Sequence, residues 1–191
     1  MGYLRKTEYE IALKESFWIV RGCPKCGKKT YFQNTKKFRI NANGNKLDIW
    51  LIYQCEDCKH TFNLSIYERQ KVSSVSKEEY QLFLDNDEQL AEMYGKNVQL
   101  FRKNKAVIDF EKVKYDFVKL NETTEYSDFG ERIIIAIKNP YQLKIRPEKQ
   151  IAEVLGLSRG QVKSLLEKGE MEIKAELPHF ISVSVNVGKL V

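Results

Sequence analysis

The stretch "RGCPKCGKKTYFQNTKKFRINANGNKLDIWLIYQCEDCKHTF", residues 21–62, holds every cysteine of the chain, arranged as Cys23-x-x-Cys26 and Cys55-x-x-Cys58. A Cys-x-x-Cys turn offers two sulfurs to one side of an ion, and two such turns facing each other complete a tetrahedral shell. In "CPKCG", Pro24 stiffens the turn and Gly27 permits the positive φ with which it closes. Between the pairs, "TYFQNTKKFRI" and "KLDIWLIYQC" are rich in β-branched and aromatic residues, and "NANGN" joins them. Its Asn43-Gly44 step is a hairpin signal, so Cys55 should return beside Cys26 across 28 intervening residues.

The pattern resembles a zinc ribbon, with Cys23, Cys26, Cys55 and Cys58 as ligands to structural Zn²⁺. A rubredoxin-like iron centre, two disulfides or free buried thiols are the alternatives. A closed four-sulfur shell leaves no coordination position for water or substrate, so the metal is expected to hold a fold together rather than catalyse. His60 can be read as a replacement ligand or as a nearby solvent-facing residue.

Outward from the cysteines, "FWIV" (17–20) reads as a strand entering the first pair, "HTFNLSIYERQ" as a strand leaving the second, and residues 3–15 as a short amphipathic helix or an extended lead-in. Ser76 with Glu79 forms a capping-box signature, and "DNDEQLAEMYG" follows as helix with Gly95 as its C-cap. "KVKYDFVKL" and "ERIIIAIKN" read as strands around a loop, "NETTEYSDFG", and the tail "HFISVSVNV" is β-like.

"RPEKQIAEVLGLSRGQVKSLLEKGEMEI" (146–173) reads as a helix begun at Pro147, a turn at Gly156, a second helix capped by Ser158 and a break at Gly169. Ala152, Gly156 and Val162 fall where a helix-turn-helix needs a small residue, a turn and an apolar anchor. The same residues resemble the alpha-L RNA-binding motif: Arg146, Ser158, Arg159, Leu165, Leu166, Gly169 and "MEI" take that family's positions. The Asn-Gly that usually follows its short strand is replaced here by "EIKAEL". An ordinary pair of helices packed on a sheet is the bland reading.

Charge is uneven along the 191 residues. Residues 1–72 carry 14 Lys and Arg against 7 Asp and Glu, residues 73–130 carry 8 against 12, and residues 131–191 carry 10 against 7. Three segments follow: a zinc-ribbon domain (1–72), an acidic helical and β middle (73–130), and a C-terminal α/β unit with the helix pair (131–191). The expected class is α+β, with an N-terminal Cys₄ ribbon, a mixed middle and a C-terminal helix-turn-helix-like or alpha-L-like unit.

No secretory leader and no apolar run long enough for a bilayer is apparent, so a cytoplasmic, membrane-free protein is expected. With two histidines and no phosphate loop or Ser-His-Asp set, an enzyme is not expected. Basic residues point instead to nucleic acid, RNA ahead of DNA. Arg146, Lys149, Arg159 and Lys163 are the candidate phosphate contacts on the helix pair, and Lys28, Lys29, Lys36 and Lys37 on the ribbon, where Tyr31, Phe32 and Phe38 interleave. A protein-interaction adaptor docking through Tyr80–Tyr94 is the alternative. In order, "CPKCG", "DIWLIYQCEDC" and "LGLSRGQVKSLLEKG" make the chain resemble the bacterial family known as domain of unknown function 1062, which implies near full-length coverage and carries no activity with it.

Overall fold

The computed structural model describes residues 2–127 and 132–186. These form two compact units, residues 13–114 and residues 1–12 with 115–191. The acidic helices thus share a unit with the cysteine hairpins, a different partition from the three charge-defined segments.

In the unit of residues 13–114, β2 (Ile19–Cys23), β3 (Lys28–Asn43), β4 (Lys46–Cys55), β5 (Thr61–Lys71) and β6 (Val107–Ile108) form one sheet in the order β5-β4-β3-β2-β6. The β3–β4 hairpin closes one residue later than the Asn43-Gly44 signal suggests: Asn43 pairs with Lys46, and Gly44 takes φ +60°. Alternation in β4 sends Leu47, Ile49, Leu51, Tyr53 and Cys55 inward. Phe17 and Tyr53 meet Phe101 edge-on at 5.6 and 5.9 Å, and the buried Tyr53 hydroxyl donates to the Phe17 carbonyl at 3.1 Å.

Three helices follow: α1 (Lys77–Asp85), α2 (Glu88–Gly95) and α3 (Val98–Lys103). Ser76 caps α1 by accepting from the Glu79 N–H, but the Glu79 carboxylate accepts instead from the hydroxyls of Tyr67 and Tyr94. Gly95 is the last residue of α2 rather than its cap, and Lys96 follows it. Its side-chain hydrogen is needed because a methyl group there would overlap Ser16 and lie 2.7 Å from Asn34 Nδ2.

In the other unit, β1 (Gly2–Leu13), β7 (Tyr115–Ser127), β8 (Arg132–Lys138), β9 (Met171–Leu177) and β10 (Phe180–Asn186) lie in the order β7-β1-β8-β10-β9. β1 runs parallel to β8, from Leu4 opposite Arg132 to Glu10 opposite Lys138. The segment read as helix or lead-in is therefore a strand, with Thr7, Ile11 and Leu13 buried at even spacing. Residues 121–127 of the expected loop continue β7, and residues 128–131 lie outside the described residues.

The expected α+β class, with an N-terminal ribbon, a mixed middle and a helix-turn-helix-like or alpha-L-like C-terminal unit, is corrected by this architecture of two sheets. Among the described residues, about twice as many lie in strand as in helix. The C-terminal helices α4 (Pro147–Leu155) and α5 (Arg159–Glu167) belong to the unit that holds the β7-β1-β8-β10-β9 sheet. Capping residues advertise helices over a few positions, whereas the long strands β1 and β7 are polar and are held by partners distant in sequence. Among the described residues, no helix is long and apolar enough to cross a membrane.

Candidate metal centre and basic groove

Cys23 ends β2 and Cys55 ends β4, so the antiparallel order brings both Cys-x-x-Cys turns to one end of the sheet. Cys23 Sγ lies 3.5 Å from Cys58 Sγ and Cys26 Sγ lies 3.9 Å from Cys55 Sγ, with all four sulfurs within 4.8 Å of one another. Metal–sulfur bonds of about 2.3 Å in a tetrahedron separate sulfurs by roughly 3.8 Å. The four side chains could thus hold a metal ion, and they are free thiols rather than disulfides.

The two turns are built alike. Gly27 N–H donates to the Cys23 carbonyl at 2.9 Å, and Lys59 N–H donates to the Cys55 carbonyl at 3.1 Å. The residue after each pair takes a left-handed φ, +68° at Gly27 and +64° at Lys59. The sequence reading singled out the glycine and missed the lysine, although position in the motif is the same. The second turn is tied to the sheet by Glu56 N–H donating to the Tyr31 carbonyl, and His60 contributes its carbonyl to Cys55 N–H rather than a ligand.

Burial pushes the Cys55 thiol up, but backbone N–H groups of Cys58 and Asp57 at its sulfur, together with the neighbouring thiols, bring its pKa down to about 6. The Cys26 thiol is pushed up, first by its hydrogen bond with Cys58. Four sulfurs at this distance share protons unevenly, and a divalent cation is the partner that lets all of them ionise.

The basic residues divide sharply. Lys28 pairs with Asp57 at 3.2 Å, and that carboxylate raises its pKa. Lys36 pairs with Glu88 at 2.9 Å and Glu92 at 3.1 Å on α2, which raise its pKa likewise. Instead of alternating along a hairpin face, Lys36 and Lys37 occupy a bulge: the β3–β4 register jumps between Asn34 and Phe38, and Lys36 takes φ +57°. Asn34 Oδ1 accepts from Lys36 N–H at 2.8 Å and fixes that bend. Lys29 and Lys37 are exposed.

On the helix pair, Arg146, Lys149, Arg159 and Lys163 line one open groove with a volume of about 690 Å³. Pro147 begins α4, Gly156 ends it at φ +68°, and Ser158 caps α5. The capping box is complete, since Gln161 N–H donates to Ser158 Oγ at 3.2 Å and Ser158 N–H to Gln161 Oε1 at 2.8 Å. The Gln161 side chain is therefore engaged locally. Buried Ala152 and Val162 seat the helices. Lys149 and Lys163 reach Glu153 and Glu167 one turn on, at 3.6 and 3.7 Å. Among the described residues, the guanidinium groups of Arg146 and Arg159 have neither a hydrogen bond nor an ion pair.

No curated protein and no solved structure matches the chain. The family described as "Protein of unknown function (DUF1062)" does, over residues 40–177. The matched segment takes in Cys55, Cys58 and both C-terminal helices, while Cys23 and Cys26 precede it. Since the match spans well over half of the 191 residues, the chain belongs to the DUF1062 family.

Proposed function

We propose that this is a zinc protein that binds nucleic acid, RNA ahead of DNA, through the groove between α4 and α5. The observation that carries the reading is that Arg146, Lys149, Arg159 and Lys163, alongside Glu148, line one groove, with both arginines unpaired among the described residues. Guanidinium groups present a planar fork suited to phosphate oxygens, and the N-termini of α4 and α5 face the same opening, where their partial positive charge favours an anion. The order helix, turn, helix, strand over residues 147–177 supports the RNA preference through its likeness to the alpha-L motif.

Zinc is preferred because four thiolates at tetrahedral separation suit it, and a reducing cytoplasm suits four free thiols. The metal's role is structural, holding the ends of β2 and β4. Lys28 and Lys36 are secondary at most, because each is matched by carboxylates of its own unit.

A second reading, protein docking on the acidic helices, draws on Leu84 and Met93, which are 47% and 55% exposed on α1 and α2. Fluorescence anisotropy of the metal-loaded protein with structured RNA and duplex DNA across a salt series separates the two. The nucleic-acid reading expects affinity that falls steeply with salt and is tighter for RNA. Absence of binding to both at low salt would overturn it and leave the docking surface.

A further inference from the structure

We propose a second phosphate-binding site, at the outer edge of β2, formed by Arg21, Lys29 and Lys105. It lies in the cysteine unit and shares no residue with the helix-pair groove, so it stands or falls independently of that reading.

β6 pairs only with Ile19 and Val20, whereas β2 runs on to Cys23. On the side away from β3, Arg21 and Gly22 therefore have no strand beside them among the described residues, and a groove of about 430 Å³ opens there. Arg21, Lys29 and Lys105 line it, and no carboxylate does. None of the three cations has a side-chain hydrogen bond or ion pair among the described residues, in contrast to Lys28 and Lys36 nearby. Three cationic residues bordering one groove, with no acid in its lining among the described residues, make a positive field that favours an anion there.

The groove is built rather than a chance gathering of surface lysines. Arg21 Cζ lies 3.8 Å from the centre of the Phe62 ring and 5.8 Å from that of Phe32. Stacking holds the guanidinium plane while leaving its N–H edge for bidentate contact with phosphate oxygens. Lys105 follows α3 at φ +51°, and Asn104 anchors that turn by accepting from Ser65 N–H at 2.8 Å and donating to the Ser65 carbonyl at 2.9 Å. The edge is open at Gly22, where a methyl group would meet nothing within 4 Å. The ligand chemistry is a phosphate group, supplied by a small phosphorylated compound or by a nucleic-acid backbone.

The test is a set of amide correlation spectra of the full-length, metal-loaded protein, titrated with pyrophosphate and separately with single-stranded oligothymidylate. Saturable shifts are expected at Gly22, Lys29 and Lys105. Both lysines are exposed, so Lys29→Glu with Lys105→Glu should preserve the spectrum yet weaken binding about tenfold or more. Lys105→Ala alone is a milder check and should weaken it by a smaller factor. Arg146→Ala with Arg159→Ala should leave these shifts unchanged, which separates this site from the helix-pair groove. Saturation by pyrophosphate supports the site for small phosphates, and saturation by the oligonucleotide supports it for a backbone. No saturable shift with either ligand, or shifts retained in the double glutamate variant, would overturn the proposal.

Discussion

On the cysteine unit, Lys28 and Lys36 end against Asp57, Glu88 and Glu92, whereas on the helix pair Arg146 and Arg159 line a groove and have no partner among the described residues. A charge count treats the four alike. The difference is made by the fold: the β3 bulge turns Lys36 toward α2, and the short α4–α5 connection sets two helix starts around one opening. A cation already paired with a carboxylate of its own chain adds less to the binding of a polyanion than an unpaired one does. The same criterion singles out Arg21, Lys29 and Lys105, two of which the charge pattern alone did not mark.

The largest expected effect bears on what holds the cysteine unit together. On the proposed metal reading, replacing Cys23 and Cys55 by Ser, or treating the protein with a chelator, should lower the melting temperature by roughly 10 °C or more, because a structural metal contributes directly to folding. Calorimetry checks this, and an unchanged transition would mean the four sulfurs are not a structural site. The contrast between the units predicts where the damage falls: amide protection should be lost first in β2–β5 and retained in α4 and α5.

Next in size is Gly95→Ala. Its methyl group would press on Ser16 and Asn34, where Asn34 Nδ2 donates to Ser16 Oγ at 2.9 Å and to the Ala91 carbonyl at 3.0 Å. Overpacking of this kind should cost about 1–3 kcal/mol, readable by denaturant titration. Because Asn34 also fixes the bulge that carries Lys36, this variant tests whether that geometry depends on the close contact. A fully stable variant would show that the contact relaxes easily.

Legibility followed the range of the signals. The cysteine spacing, the Gly27 turn, Pro147, Gly156 and the Ser158 cap are decided within five residues, and each is found in the structure. The hairpin signal at Asn43-Gly44 was right in kind and displaced by one residue. What escaped depended on distant partners: β1 lies beside β8 through residues more than a hundred positions away, and the strand beyond the Lys36 bulge is held by Asn86, whose Oδ1 accepts from Phe38 N–H. Lys59 escaped because a left-handed lysine carries no local composition signal, although its place after Cys58 mirrors that of Gly27. The short α3 gave no periodic stretch long enough to read.

The smallest expected effect is also informative. Lys28→Ala with Lys36→Ala removes two positive charges that are already matched, so stability should change by about 1 kcal/mol or less and nucleic-acid affinity hardly at all. A marked loss of affinity would show that Asp57, Glu88 and Glu92 release these lysines on binding.

The central claim is tested most directly by measuring the salt dependence of RNA binding for the unmodified protein, for Arg146→Ala with Arg159→Ala, and for Lys28→Ala with Lys36→Ala. The first pair should reduce the slope of log K against log salt by about two, and the second should leave it unchanged. Equal losses from both pairs, or a loss confined to the lysines, would contradict the account.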